Sequence, residues 1–151
     1  MKSISIKNNY SEVEILGCFL KSFKVNSGSN KYELLGYDEK NHAMSFIMAP
    51  WANRIKDGKL ECSKGVFDLL ASNPFEIQHA IHGTAIFSDW DLDESSESSV
   101  LISTKLSEPW PYKGKVELKI YLDGPSLRQE LLITNFDSEI MPFSMGWHPW
   151  F

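Results

Sequence analysis

The 151-residue sequence has no apolar run near the roughly 20 residues that a transmembrane helix requires, so we expect no membrane span. It also has no basic tract. Its 15 Lys and Arg residues are scattered, and 20 Asp and Glu residues give a formal net charge of -5. A nucleic-acid backbone and an anionic membrane surface both attract clustered positive charge. We therefore expect neither nucleic acid nor a membrane as a partner.

Cysteine is scarce. Cys18 and Cys62 lie far apart and at no metal-binding spacing, so two free thiols in a reducing compartment is the simplest interpretation. The first 16 residues, MKSISIKNNYSEVEIL, alternate and carry charge, and they contain no continuous apolar segment of a signal peptide. Together these features predict a cytoplasmic protein.

Helical patterns are lacking as well, because no window shows an amphipathic stripe with caps at both ends. The dominant period is two. It predicts a strand over Lys115–Gly124, a turn at Gly124 and Pro125, and a returning strand over Ser126–Asn135, with another strand over Ser99–Leu106. Further short strands are predicted in ISIKN, VEIL, KYELLGY, MSFIM, KLECS and VFDLL, separated by the turn clusters NSGSN, YDEKNH, CSKG and ESSESS. This pattern predicts an all-β fold, an antiparallel sandwich or barrel.

Three segments resemble neither ordinary strands nor turns: MAPWANRIKDGKL (Met48–Leu60), AIHGTAIFSDWDL (Ala80–Leu92) and MPFSMGWHPWF (Met141–Phe151). Each combines aromatic residues, a polar or titratable residue and a Gly or Pro. A sugar ring has apolar C–H faces on which Trp can stack, and a rim of hydroxyls that Arg, Asn and His can bind. Histidine can also move a proton near neutral pH. The composition is therefore suited to a sugar site.

Each of these residues also has a purely structural interpretation. Arg54 could form a surface ion pair, His82 could be a turn histidine satisfied by backbone, and His148 could be a core residue among tryptophans. A metal site of His79, His82 and His148 is a further alternative. We expect no metal, because a spacing of three places His79 and His82 on opposite faces of a strand and no Cys or carboxylate completes a ligand set.

The order of the segments resembles the aldose 1-epimerase (galactose mutarotase) family. The matching stretches are APWANRI, AIHG with Trp90 downstream, WPYKG at Trp110–Gly114, and TNFDSEIMPFSMGWHPWF at the end. The resemblance spans nearly the whole chain, and four such motifs in order are far more specific than any one of them.

This resemblance implies a galactose mutarotase-like supersandwich, a large antiparallel β-sandwich. Its members interconvert the α and β anomers of free aldoses by acid/base ring opening, without a metal or an organic cofactor. By motif position, His148 would be the general acid and His82 would polarise the ring oxygen. Arg54 would bind sugar hydroxyls with support from Asn53, and Trp51 and Trp90 would belong to the substrate-binding surface.

The chain departs from the family pattern at its end. The family's glutamate base and a sugar-binding aspartate lie beyond the His-Pro-aromatic-Phe segment, whereas this sequence ends at Phe151. The resemblance therefore implies that residues 1–151 are the N-terminal portion of one truncated sandwich domain, with MPFSMGWHPWF as a central strand and a wall of the site. A second chain or a homo-oligomer would cover its exposed edge; the alternatives are a fragment of a longer protein and a degenerate gene product. The alternative is a non-catalytic carbohydrate-binding module that keeps Arg54 and His82 but has no base.

Overall fold

A computed structural model describes residues 2–38, 40, 44–72 and 78–151. Apart from three 3-10 helices of three residues each, the regular structure in these ranges is strand, which confirms the all-β prediction. The strands are β1 (Ile4–Lys7), β2 (Ser11–Leu16), β3 (Phe19–Ser27), β4 (Asn30–Glu33), β5 (Ser45–Met48), β6 (Arg54–Ile55), β7 (Lys59–Cys62), β8 (Gly65–Asp68), β9 (Ala80–Ile81), β10 (Asp91–Ser95), β11 (Ser99–Lys105), β12 (Gly114–Asp123), β13 (Ser126–Asn135) and β14 (Gly146–His148). The 3-10 helices span Lys56–Gly58, Leu70–Ser72 and Ala85–Phe87. None of the helices in the described ranges is long and apolar enough to cross a lipid bilayer.

The strands form two main antiparallel sheets. The first has the order β1-β2-β3-β5-β14, with β4 also paired to β3, and the second has the order β10-β11-β12-β13. Two short ladders, β6-β9 and β7-β8, lie outside these sheets. The ladder β6-β9 matters most for function, because it joins two of the three segments that the sequence singled out.

The core lies between the two sheets. Val116, Leu118 and Ile120 of β12 are each 0% exposed and alternate with more exposed polar residues, as the period of two predicts. They belong to the same buried cluster as Ile6 and Val13 from the first sheet. Because one apolar face of each sheet covers the other, the chain is a two-layer β-sandwich.

The hairpin predicted from alternation is confirmed: β13 spans Ser126–Asn135 and pairs in continuous register with β12. Four strands were not predicted, namely β3, β6, β9 and β10. All five residues of β10 are exposed, so its sequence resembles a turn and carries no burial signal. The predicted strand KYELLGY is in strand only as far as Glu33, and the turn predicted over 37–42 falls partly outside the described residues.

The final segment is held by a strand from much earlier in the chain. β14 pairs antiparallel with β5, so that Gly146 lies opposite Met48 and His148 opposite Phe46. In the sheet order β14 comes last, and in the part of the chain that the structure describes its outer edge has no neighbouring strand. The apolar C-terminal segment therefore contributes β14, the last strand of the first sheet.

Candidate active site

Two histidines from distant parts of the sequence meet beside β5. His148 lies in β14, and His82 directly follows β9. Their ring centroids are 5.1 Å apart, and the ring planes are inclined at 74°. The structure thus brings both sequence-predicted histidines into one cluster, a proximity that the sequence alone could not establish.

The ladder β6-β9 places the ANRI segment next to His82. Arg54 lies opposite Ile81 in this ladder, and the amide of His82 donates a hydrogen bond of 3.0 Å to the carbonyl oxygen of Asn53. Asn53 and His82 both have positive φ angles, 58° and 64°. Such angles are uncommon outside glycine and often mark functional sites. Asn53, Arg54 and His82, all predicted as site residues, are therefore neighbours.

Gly83 packs the His82 loop onto the chain that leaves β5. It has a φ of 81°, and a Cβ atom placed on it would lie 1.8 Å from the carbonyl oxygen of Ala49. That carbonyl accepts a hydrogen bond of 3.0 Å from the amide of Ala85. A residue with a side chain does not fit between these backbones, so the AIHG segment requires glycine at this position.

The environment of His82 disfavours its charged form. Burial, the neighbouring His148 and the positive charge of Arg54 lower the pKa of His82 from 6.5 to about 4. At neutral pH its ring is therefore uncharged, and it can act as a hydrogen-bond donor or acceptor.

The imidazole rings have one further feature in common. The Nδ1 atoms of His82 and His148 are both buried, and neither has a hydrogen-bond partner among the described residues. A catalytic histidine is commonly oriented by a hydrogen bond at its second ring nitrogen. Here that restraint is missing from both rings, so packing must contribute to their orientation.

Two small cavities adjoin the cluster on different sides. One, of about 280 Å³, is lined by Arg54 together with Trp51, Trp110 and Phe143. The other, of about 200 Å³, is lined by His148 and Phe46. A wider cleft of about 570 Å³ lies between residues 61–63 and 138–142 and contains neither histidine. The chemistry of the histidines, and not the size of a cavity, therefore locates the candidate site.

Trp51 and Trp90 are placed mainly in the core. Trp51 is 3% exposed, stacks on Trp110 at 5.5 Å and donates its indole N–H to the carbonyl of Ala80. Trp90 is 5% exposed and donates its indole N–H to the carbonyl of Ala85. Their burial favours the structural interpretation, and a contact of either ring with a sugar stays a prediction.

His79 has a hydrogen-bond partner other than His82 and His148. Its Nδ1 accepts a hydrogen bond of 3.1 Å from the amide of Asp57. Within residues 2–38, 40, 44–72 and 78–151, no group of three or more His, Cys, Asp or Glu residues is placed to hold a metal ion.

Sequence reasoning did not single out Phe46, which touches both histidines. Its ring stacks on His148 at 4.6 Å with an interplanar angle of 9°, and meets His82 edge-on at 5.6 Å. In sequence it lies in MSFIM, which is indistinguishable from an ordinary core strand. Only the register of β14 against β5 reveals the contact with His148.

This architecture defines the class of protein. A galactose mutarotase related enzyme from Lactobacillus acidophilus matches the fold with a TM-score of 0.82 and 20% identity, over 98% of this chain and 48% of that one. A galactose mutarotase-like protein from Lactobacillus casei ATCC 334 also gives a TM-score of 0.82, with 22% identity, over 98% of this chain and 49% of that one. The fold is thus galactose mutarotase-like.

The sequence leads to the same family. A model of the family described as aldose 1-epimerase matches residues 2–151, and the chain belongs to that family. It is also 27% identical over 110 residues to the uncharacterized protein YphB of Escherichia coli K12, covering 72% of this chain and 37% of that protein. The chain spans about half the length of the two solved structures and 37% of YphB.

Proposed function

We propose that this chain belongs to an aldose 1-epimerase, an isomerase that interconverts the α and β anomers of a free aldose. The observation that carries the proposal is the contact of His82 with His148, at 5.1 Å between ring centroids. Imidazole is the side chain best suited to donate and retake a proton near neutral pH. The family match over residues 2–151 supports the same reaction.

In the proposed reaction a base removes the proton of the anomeric hydroxyl while His148 donates a proton to the ring oxygen. The bond between C1 and the ring oxygen breaks, its electron pair stays on that oxygen, and C1 becomes a carbonyl carbon. Rotation about the C1–C2 bond and reversal of these steps close the ring on the other face. No electron is transferred to or from the sugar, so the steps require only acid and base groups.

His82 is suited to assist as a neutral group. Because its pKa is lowered to about 4, its uncharged ring can hydrogen-bond near the ring oxygen at pH 7. A positively charged His148 ring is then not repelled by a second positively charged imidazole. Arg54, which neighbours His82 through the β6-β9 ladder, would bind sugar hydroxyls, and Asn53 would support it.

Among the described residues, no carboxylate acts on His82, so none of them is nominated there as the general base. The charge effects on the pKa of His82 come from His148 and Arg54. We therefore propose that residues 1–151 form the N-terminal portion of a single sandwich domain. A C-terminal portion, or a second chain, would supply the carboxylate and cover the edge at β14. The half-length match to solved relatives supports this arrangement.

Sugar binding without catalysis is the second candidate function, and it is favoured for this chain alone because no carboxylate of the described residues acts on His82. Loss of a general base typically lowers the rate by about 10²–10⁴-fold. The ligand in either case would be a small free aldose. The two unpaired cysteines, one of them buried, are compatible with the cytoplasmic location that we propose.

Polarimetry of freshly dissolved α-D-glucose and α-D-galactose tests the proposal. The complete domain, residues 1–151 together with the portion that supplies the base, should accelerate the approach to anomeric equilibrium above a buffer blank, and His148→Gln should remove the acceleration. His79→Gln is the matched control, since His79 is a partly buried histidine whose ring accepts a hydrogen bond outside the cluster. Equal loss in both variants would contradict the role of His148. Aldose binding without any acceleration by the complete domain would select the binding module.

A further inference from the structure

Two aromatic rings, those of Phe46 and Trp150, stack against His148. Phe46 lies with its ring centroid 4.6 Å from that of His148 and the planes 9° from parallel. Trp150 lies at 6.3 Å with planes inclined at 24°. The stack Phe46–His148–Trp150, together with the edge-on contact of Phe46 to His82 at 5.6 Å, makes Phe46 the aromatic residue common to both histidines.

Backbone contacts place both residues beside His148. Phe46 lies directly opposite His148 in the pairing of β5 with β14, so the register makes the two residues cross-strand neighbours. Trp150 is tied to the same strand: its amide donates a hydrogen bond of 2.8 Å to the hydroxyl of Ser45, and its carbonyl accepts one of 3.1 Å from the amide of Gly36. Contacts of the main chain thus keep Phe46 and Trp150 beside His148.

A polar restraint on the imidazole is missing where one would be expected. The Nδ1 of His148 is buried without a partner among the described residues, and the same holds for His82. Rotation of the ring about its terminal torsion is broad unless something restrains it. Among the described contacts, the stacked rings of Phe46 and Trp150 and the edge-on ring of His82 are what restrain His148.

We propose that Phe46 is a positioning residue that sets the plane of the His148 ring, and that Trp150, which stacks against the same ring, helps to confine it. The proposal rests on the proposed function, since a fixed plane matters where His148 must deliver a proton to one oxygen. Proton transfer needs reach and alignment, and a misplacement of about 1 Å can cost roughly 10²-fold in rate. Phe46 would act through His148 without touching the sugar.

The chain offers a matched control in Phe19. It lies opposite Phe46 in the pairing of β3 with β5 and touches Phe46 edge-on at 6.0 Å, on the side of β5 away from β14. Phe19→Leu therefore removes a phenylalanine ring that contacts Phe46 but leaves both rings that stack on His148 in place. Trp150 is 42% exposed, so Trp150→Leu and Trp150→Phe can be compared with little risk to folding.

Kinetics give the first test. Phe46→Leu and Trp150→Leu should each lower kcat by about 10–100-fold with KM changed by less than about twofold, because the acid is misaligned while sugar binding persists. Trp150→Phe, which keeps a flat ring, should restore most of the activity, and Phe19→Leu should match the wild type. The proposal is wrong if Phe46→Leu behaves like Phe19→Leu, or if the Leu and Phe variants of Trp150 are equally active.

A second readout separates this proposal from the proposed function. NMR relaxation of ring-labelled histidine reports the order of the His148 side chain whether or not the chain catalyses anything. Its order parameter should fall in Phe46→Leu and in Trp150→Leu but stay unchanged in Phe19→Leu and Trp150→Phe. If wild-type polarimetry is negative while these shifts occur, the proposed function fails and the positioning role stands. An unchanged order parameter in both Leu variants would overturn the positioning role.

Discussion

Gly83→Ala is the substitution for which the structure makes the sharpest prediction. Gly83 lies between His82 and the 3-10 helix Ala85–Phe87, with a φ of 81°. A Cβ atom there would lie 1.8 Å from the carbonyl oxygen of Ala49 and 2.2 Å from its carbon, both of which are backbone atoms. Since neither can rotate away, the two chain segments must separate.

Three terms contribute to the loss of stability. A left-handed backbone costs alanine about 1–2 kcal/mol relative to glycine. Overpacking adds about 1–3 kcal/mol, and weakening the hydrogen bond from the Ala85 amide to Ala49 adds about 0.5–1.5 kcal/mol. The reduced entropy of the unfolded chain returns about 0.4–1 kcal/mol. We therefore expect a net loss of about 1.5–6 kcal/mol in the free energy of unfolding.

Gly28→Ala is the matched control. Gly28 also has a positive φ, 62°, but no heavy atom lies within 4 Å of a Cβ placed on it. It should lose only the conformational term, about 1 kcal/mol or less after the entropy gain. The difference between the two variants therefore isolates the close approach of Gly83 to Ala49.

Urea denaturation followed by tryptophan fluorescence measures both variants, and Gly83→Ala should also lower the melting temperature by roughly 5–15 °C. Because the displaced loop carries His82, any mutarotase activity should fall as well. A difference of less than about 0.5 kcal/mol between Gly83→Ala and Gly28→Ala would refute the steric argument, since additive and independent effects agree within about that margin.

The remaining predictions concern charge, binding and packing. The folded-state pKa of His82, about 4, lies below its unfolded value of about 6.5. The contribution of neutral His82 to the free energy of unfolding should therefore be fully present above about pH 6.5 and should be lost as the pH drops towards about 4. In His82→Asn, which tolerates the positive φ, this part of the pH dependence of the urea midpoint should disappear, whereas a persisting slope would contradict its origin in His82. Arg54→Ala should raise KM for the aldose more than it lowers kcat, and an unchanged KM would assign Arg54 a structural role. Leu118→Ala, at a 0% exposed core position, should cost about 2–5 kcal/mol by urea denaturation, while a loss below about 1 kcal/mol would argue against the sandwich core.

The strands that were predictable are those with one buried face. In β12 the alternation of Val116, Leu118 and Ile120 with polar neighbours reflects a sheet covered on one side only. The returning strand β13 was also predictable, because glycine at position 124 permits a tight turn, and its φ in the structure is 58°. β10 was not predictable, because all its residues are exposed and its hydrogen bonds to β11 leave no trace in side-chain pattern.

The candidate site was predictable in its chemistry but not in its arrangement. The side chains of His82, His148, Arg54 and Asn53 suit a sugar and a proton transfer, but it was the resemblance to the aldose 1-epimerase family that nominated them over their structural interpretations. That the two rings lie 5.1 Å apart depends on the pairing of β14 with β5 and of β6 with β9. Phe46 carried no signal, because a buried phenylalanine that orients a histidine looks the same in sequence as one that fills the core.

By itself, the sequence determined the all-β class, the central hairpin and the residue types available for acid/base chemistry. These properties are local: alternation, turn residues and side-chain pKa values act within a few positions of the chain. The tertiary structure alone decided the contact of His82 with His148, the lowered pKa of His82 and the burial of Trp51. The physical reason is that these properties depend on which strands pair across long stretches of chain, and that choice is made by the whole core.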